Sequence, residues 1–186
     1  MVKKLKFREH TDAPKLLRLD LGAGLGRSTP EGFTPVDLHA AKGVKKMNLL
    51  NRWPWGANSV DEAHCANLLH YFDGKGRVHF VNELYRVLKP QAKAQIVVPY
   101  WAACKAYGDV RVQSPPVTEA WFAYLSKPWR EAQNYRDDTG YTCNFDATLS
   151  YGLHPTMVTR NIEYQQNGVQ FWKEAAQDLI ATITKS

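Results

Sequence analysis

Apolar residues recur along this chain in two rhythms. Leu16, Leu17, Leu19 and Leu21 form a short run that stops in Gly22, Gly24 and Gly26. An apolar run of that length, bounded by glycine, predicts a buried parallel strand. Phe33, Val36 and Leu38 mark a second strand, and Val44, Met47 and Leu49 a short third. A fourth is predicted over Ala63–Leu69 and a fifth over Ala94–Pro99. Between those two the rhythm changes. Val78, Val81, Leu84, Tyr85 and Leu88 return at steps of three and four, which predicts a one-faced helix over 75–88. Lys89-Pro90 ends it, because the residue before a proline is pushed out of the helical region. Toward the end, 147–151 alternates like a strand, 160–173 reads as a helix weakened by Gly168, and 178–184 is a β-branched strand. Strands separated by crossovers predict an α/β fold with a mostly parallel sheet. Repeats and low-complexity stretches are absent from the sequence, and 186 residues suit one domain over 1–186.

The glycines carry the first chemistry. They let the chain turn sharply at a strand's carboxyl end and leave room for a ligand against bare backbone. In an open α/β sheet that edge is where nucleotide-like ligands bind. Asp37 closes the second apolar run, 17 residues after Asp20, placed to accept hydrogen bonds from a ribose. A dinucleotide fingerprint spaces its glycines Gly-x-Gly-x-x-Gly and packs the third inside a helix. Here the third glycine comes one residue early. Six residues separate Gly26 from Phe33, too few for a crossover helix. At most one turn fits, capped by Ser28 or Thr29 with Pro30 behind it. This shortened first crossover argues against a nicotinamide cofactor.

The run Asp20-Leu21-Gly22-Ala23-Gly24-Leu25-Gly26 resembles motif I of the class I S-adenosylmethionine-dependent methyltransferases. Gly32–Asp37 resembles the second motif of their methyltransferase-type-11-like branch, and Asn82-Glu83-Leu84-Tyr85-Arg86-Val87-Leu88-Lys89-Pro90 resembles that branch's stretch before strand five. Trp53–Ala63 is similar to its loop into strand four. The resemblance spans about 16–130 and implies a Rossmann-like three-layer sandwich around a seven-stranded sheet whose last strand is antiparallel. It implies S-adenosyl-L-methionine as methyl donor, bound by Asp20, Gly22, Ala23, Gly24, Asp37, Leu38, Asn48, Leu49 and Asn67. Asn48 would accept from the adenine amine, and Leu49 or Leu50 would pack on the adenine face.

Where donor and acceptor meet in that family, this chain reads Asn67-Leu68-Leu69-His70-Tyr71, with His70 in place of a Glu and Tyr71 in place of a His. His70 is the candidate general base, since an imidazole with a pKa near 6.5 can take a proton at neutral pH; a structural histidine is the alternative. The Asp/Asn-Pro-Pro-aromatic motif of enzymes acting on base amines does not occur at that strand end, nor does a Pro-Cys pair. Both DNA-base chemistries are therefore disfavoured. The segment 100–146 is dense in aromatics and reads as an acceptor-side or lid insertion, its rings either packing the lid on the sheet or lining a pocket. Tyr107 and Asp109 are the acceptor-side candidates.

Charge and cysteines change this picture little. The net charge of +6 permits a nucleic-acid acceptor as well as a small molecule, but Lys and Arg are scattered outside the N-terminal tail. Three widely spaced cysteines suit a reducing cytoplasm and have no metal-ligand spacing. The sequence contains neither an apolar run long enough to span a membrane nor a secretory signal. The expected activity is methyl transfer to an unidentified acceptor by direct in-line displacement; the alternative is a donor-binding module without catalysis.

Overall fold

The computed structural model describes residues 16–135, 138 and 140–186. Its strands are β1 (Arg18–Leu21), β2 (Thr34–Asp37), β3 (Lys45–Lys46), β4 (Val60–Ala66), β5 (Leu88–Pro99), β6 (Phe145–Leu153) and β7 (Ala176–Lys185). They form one seven-stranded sheet in the order β3-β2-β1-β4-β5-β7-β6. The strands β1 to β5 run parallel, and β7 lies antiparallel between β5 and β6. This is the α/β, Rossmann-like sheet expected from the sequence, with its last strand reversed. The helices are α1 (Gly74–Val87), α2 (Glu119–Ala123), α3 (Lys127–Ala132), α4 (Pro155–Val158) and α5 (Ile162–Phe171). None of the described helices is long and apolar enough to cross a membrane.

The α1 helix is specified locally. The Asp73 carboxylate accepts from the Gly76 amide at 2.7 Å and caps its first turn. Phe80, Val81, Leu84 and Val87 are buried against the sheet, each worth about 1.5–3 kcal/mol of transfer free energy. The helix stops at Leu88, which is extended, and the chain enters β5 with no intervening loop. On the same side Trp53, from the loop before β4, sets its ring 5.3 Å from that of Phe80. Arg77 ties the segment after β5 to this layer by donating to the carbonyls of Gln113 and Pro115.

The stretch between β1 and β2 contains turns and no helix, as the short crossover requires. Phe33, at its end, lies 6.4 Å from the His64 ring and under the Arg18 guanidinium.

Three strands differ clearly from expectation. The fifth begins at Leu88 instead of 94 and carries Pro90 within it. The fourth strand covers Val60–Ala66 instead of 63–69. Asn67 turns the chain at φ +54°, and Leu69–Tyr71 form a 3-10 turn. Leu69 is fully buried in that turn, so the apolar run continues past the strand's end. The third strand shrinks to Lys45–Lys46, pairing with Val36 and Asp37; Met47 and Leu49 pack on the core from a loop.

Candidate functional site

A cavity of about 670 Å³ opens at the carboxyl ends of β1, β2 and β4. This is the edge where an open α/β sheet binds its ligand. The loop after β1 forms one wall. Gly22 and Ala23 both donate to the Val36 carbonyl, at 2.9 and 3.1 Å, which ties this loop to β2. Gly22 has φ +80°, and a Cβ placed on it would lie 2.8 Å from the Leu68 side chain. Backbone angle and packing therefore both call for glycine here. Gly24 differs: its φ is +58°, yet a Cβ there would meet no protein atom within 4 Å. Its open side belongs to the cavity it lines.

Asp37 terminates β2 and lines the same cavity. One carboxylate oxygen accepts from the Gly24 amide at 2.8 Å and the other from the His39 amide at 2.9 Å. Both bonds hold the side chain still and leave each oxygen a further lone pair for a hydroxyl. Leu38, Met47 and Leu49 supply apolar wall, and Asn48 sits among them with its side-chain oxygen accepting from the Leu50 amide at 3.0 Å. Asn67 and Leu68 close the side toward β4.

Seven of the donor-site residues expected from sequence thus surround one cavity: Gly22, Gly24, Asp37, Leu38, Asn48, Leu49 and Asn67. Asp20 and Ala23 do not line it. The Asp20 side chain is buried and held 2.7 Å from the His64 imidazole. Its role here is to brace β1 against β4.

His70 also falls outside the cavity lining. The 3-10 turn buries its ring, stacks it on Tyr71 with centroids 4.0 Å apart, and leaves Nδ1 without a hydrogen-bond partner. Burial, aided by the Arg77 charge, pushes its pKa below the usual histidine value. Tyr71 faces the cavity in its place. Its hydroxyl donates to Asp109 at 3.1 Å, and burial and that carboxylate raise its pKa. Asp109 in turn pairs with Arg111, whose guanidinium lies 5.0 Å from the Tyr71 ring centre. Those guanidinium hydrogen bonds hold the Asp109 carboxyl well below the ordinary range. Asp109 is therefore a support for two rim residues, Tyr71 and Arg111. Tyr107 is 60% exposed and lines other clefts.

Sequence reasoning missed Tyr71, Arg111 and Gln113 as wall residues. Nothing local marks Arg111 or Gln113. They arrive through a bond from the Gln113 amide to the His70 carbonyl at 2.8 Å, and through Arg77.

No protein-family profile and no curated protein matches this sequence. Solved structures do match by shape. An S-adenosylmethionine-dependent methyltransferase from Archaeoglobus fulgidus superposes with a TM-score of 0.63 at 15% identity, covering 91% of this chain and 86% of that one. Geranyl diphosphate C-methyltransferase from Streptomyces coelicolor, solved with S-adenosyl-L-homocysteine, gives 0.54 at 13% identity, over 93% and 72% of the two chains. The 1,6-didemethyltoxoflavin-N1-methyltransferase of Burkholderia thailandensis, also with S-adenosylhomocysteine, gives 0.54 at 16%, over 91% and 71%. With the sheet order and the reversed β7, this likeness shows that the chain has the class I S-adenosylmethionine-dependent methyltransferase fold.

Proposed function

We propose that this protein is an S-adenosylmethionine-dependent methyltransferase that holds its donor in the cavity above β1, β2 and β4. The observation that carries this reading is the convergence of Gly24 and Asp37 on one space. Bare backbone and a fixed carboxylate meet there, flanked by an apolar slot. Asp37 would take the ribose hydroxyls. Leu38 and Leu49 would flank the adenine, with Asn48 at its edge. Gly22 and Gly24 let the chain pass close to the rest of the donor. When bound, the sulfonium donor supplies an already activated methyl group.

The protein's own contribution is placement and water exclusion. Tyr71 and Arg111 stand on the rim, and we assign them to the acceptor side, Arg111 coming from an insertion of about 100–146 in a single domain. His70 is turned away from the cavity and biased toward its neutral form, so we assign no proton transfer to it. The same observation favours a second reading, a donor-binding module that does not turn over by itself. The acceptor is a small molecule or, in view of the +6 charge, a nucleic acid. Cys65, Cys104 and Cys143 form no disulfide with one another, which suits a cytoplasmic site of action.

Methyl-labelled donor incubated with purified protein and separate pools of small metabolites, RNA and DNA tests the proposal. Label transfer to one pool is expected. Transfer to nucleic acid should fall steeply between about 50 and 200 mM salt, whereas transfer to a small acceptor should not. Tight donor binding without label in any pool would leave the non-catalytic module.

A further inference from the structure

A second cavity, of about 620 Å³, lies at the carboxyl end of β6, between that strand, α2 and α5. None of its lining residues borders the first cavity. Three aromatic residues line it. Tyr100 stands 5.6 Å from Trp101 and 5.5 Å from Tyr151, ring centre to ring centre, with the planes inclined at 50° and 83°. Rings at such angles make walls facing different ways. Leu153, Ile162 and Val169 complete the apolar lining.

One charged side chain lines this space, Glu119 of α2. The Tyr151 hydroxyl donates to it at 3.1 Å, while the Tyr100 hydroxyl is committed to the Val169 carbonyl at 3.2 Å. Lys and Arg are absent from the lining, and no cation among the described residues pairs with Glu119. Elsewhere on this basic chain Asp61, Glu83, Asp109 and Asp178 each hold a Lys or Arg. The uncompensated charge is felt nearby: burial and Glu119 together push Tyr151 up to about 12 and raise Tyr100.

A half-buried carboxylate beside three aromatic rings favours one kind of guest. A cation gains from the carboxylate and from the ring quadrupoles at once. An anion would be repelled by Glu119, and a neutral guest would gain only apolar contact. We propose that this cavity is a binding site for a small organic ammonium ion, its charged nitrogen held by Glu119 and the Tyr100, Trp101 and Tyr151 rings and its apolar body against Leu153, Ile162 and Val169. The site is separate from the donor cavity and does not depend on methyl transfer.

Calorimetric titration with 2-phenylethylamine, 2-phenylethanol and 3-phenylpropionate tests it. They present an ammonium, a hydroxyl and a carboxylate on the same body. The amine should bind at least about tenfold more tightly than the alcohol, and the acid should not bind. Glu119→Gln should erase the preference for amine over alcohol. Trp101→Ala should weaken the amine at least about fivefold, and Asp37→Ala should leave it unchanged. Equal binding of amine and alcohol by the wild type, or no binding of either, would overturn the proposal even if a variant failed to fold. Full amine preference in a folded Glu119→Gln protein would overturn it too.

Discussion

Gly22 and Gly24, two positions apart in the loop after β1, make opposite predictions when each is given one methyl group. Gly22 and Gly24 both have positive φ, +80° and +58°. Replacing either by alanine therefore costs a similar left-handed backbone strain, about 1–2 kcal/mol. That cost cancels between the two variants. What remains is where the new Cβ goes. In Gly22→Ala it would sit 2.8–3.0 Å from three atoms of Leu68. Overpacking of that kind costs about 1–3 kcal/mol. At about 2–4 °C per kcal/mol for a chain of this size, Gly22→Ala should melt roughly 2–12 °C below Gly24→Ala. In Gly24→Ala the methyl meets no protein atom within 4 Å and stands in the cavity. It should fold nearly as well as the strain allows and bind S-adenosylhomocysteine at least about tenfold more weakly, a loss of ~1.4 kcal/mol. Scanning calorimetry gives the first comparison and isothermal titration the second. A Gly24→Ala protein that binds within about twofold of wild type would refute the reasoning, because the bare backbone there would then touch no ligand.

Three further outcomes follow from the site's surroundings. Arg77 is buried and donates to the carbonyls of Leu69, Gln113 and Pro115; Arg77→Ala should cost about 2–3 kcal/mol, a melting decrease of roughly 4–12 °C, and an unchanged midpoint would show that these bonds do not hold the segment after β5. His70 has a pKa below its ordinary 6.5, so the unfolded chain takes up that proton first. Its contribution to stability is complete above about pH 6.5 and falls as pH drops below that toward the folded-state value. Wild type should therefore lose more stability than His70→Phe between about pH 7 and 5, and parallel pH profiles would contradict this. Asp109→Ala removes the acceptor of the Tyr71 hydroxyl and the partner of Arg111. It should weaken acceptor use while leaving S-adenosylhomocysteine affinity within about threefold; a larger loss would move Asp109 to the donor side.

The parts of the fold written into local sequence were legible. The glycine loop, Asp37 and the α1 face depend on residues within a turn or two of each other, and the helix expected over 75–88 forms at Gly74–Val87. The six residues between Gly26 and Phe33 excluded a crossover helix, and none forms. The end of β4 was not legible. Leu68 and Leu69 are apolar because one packs against Gly22 and the other is buried in the core. An apolar run does not reveal whether it continues a strand or lines a buried turn. That three-residue difference decides that Tyr71, and not His70, faces the cavity. Arg111 and Gln113 lie some forty residues beyond that turn in the chain and reach the site through contacts that periodicity does not encode. The aromatic stretch 100–146 divided between both of its readings. Tyr124 packs on Trp129 and Tyr135, and Phe122 is buried, while Trp101 borders an open cavity.

The central claim is that the space between Gly24 and Asp37 holds an adenosyl methyl donor. Thermal unfolding of wild type and Asp37→Ala with S-adenosylmethionine, S-adenosylhomocysteine and NAD tests it most directly. A ligand at about 100 times its dissociation constant adds about 2.7 kcal/mol, which for this chain is a rise of roughly 5–10 °C. The account predicts that rise for wild type with both adenosyl compounds, none with NAD, and its loss in Asp37→Ala. A flat response to both adenosyl compounds, or a rise with NAD in their place, would contradict it.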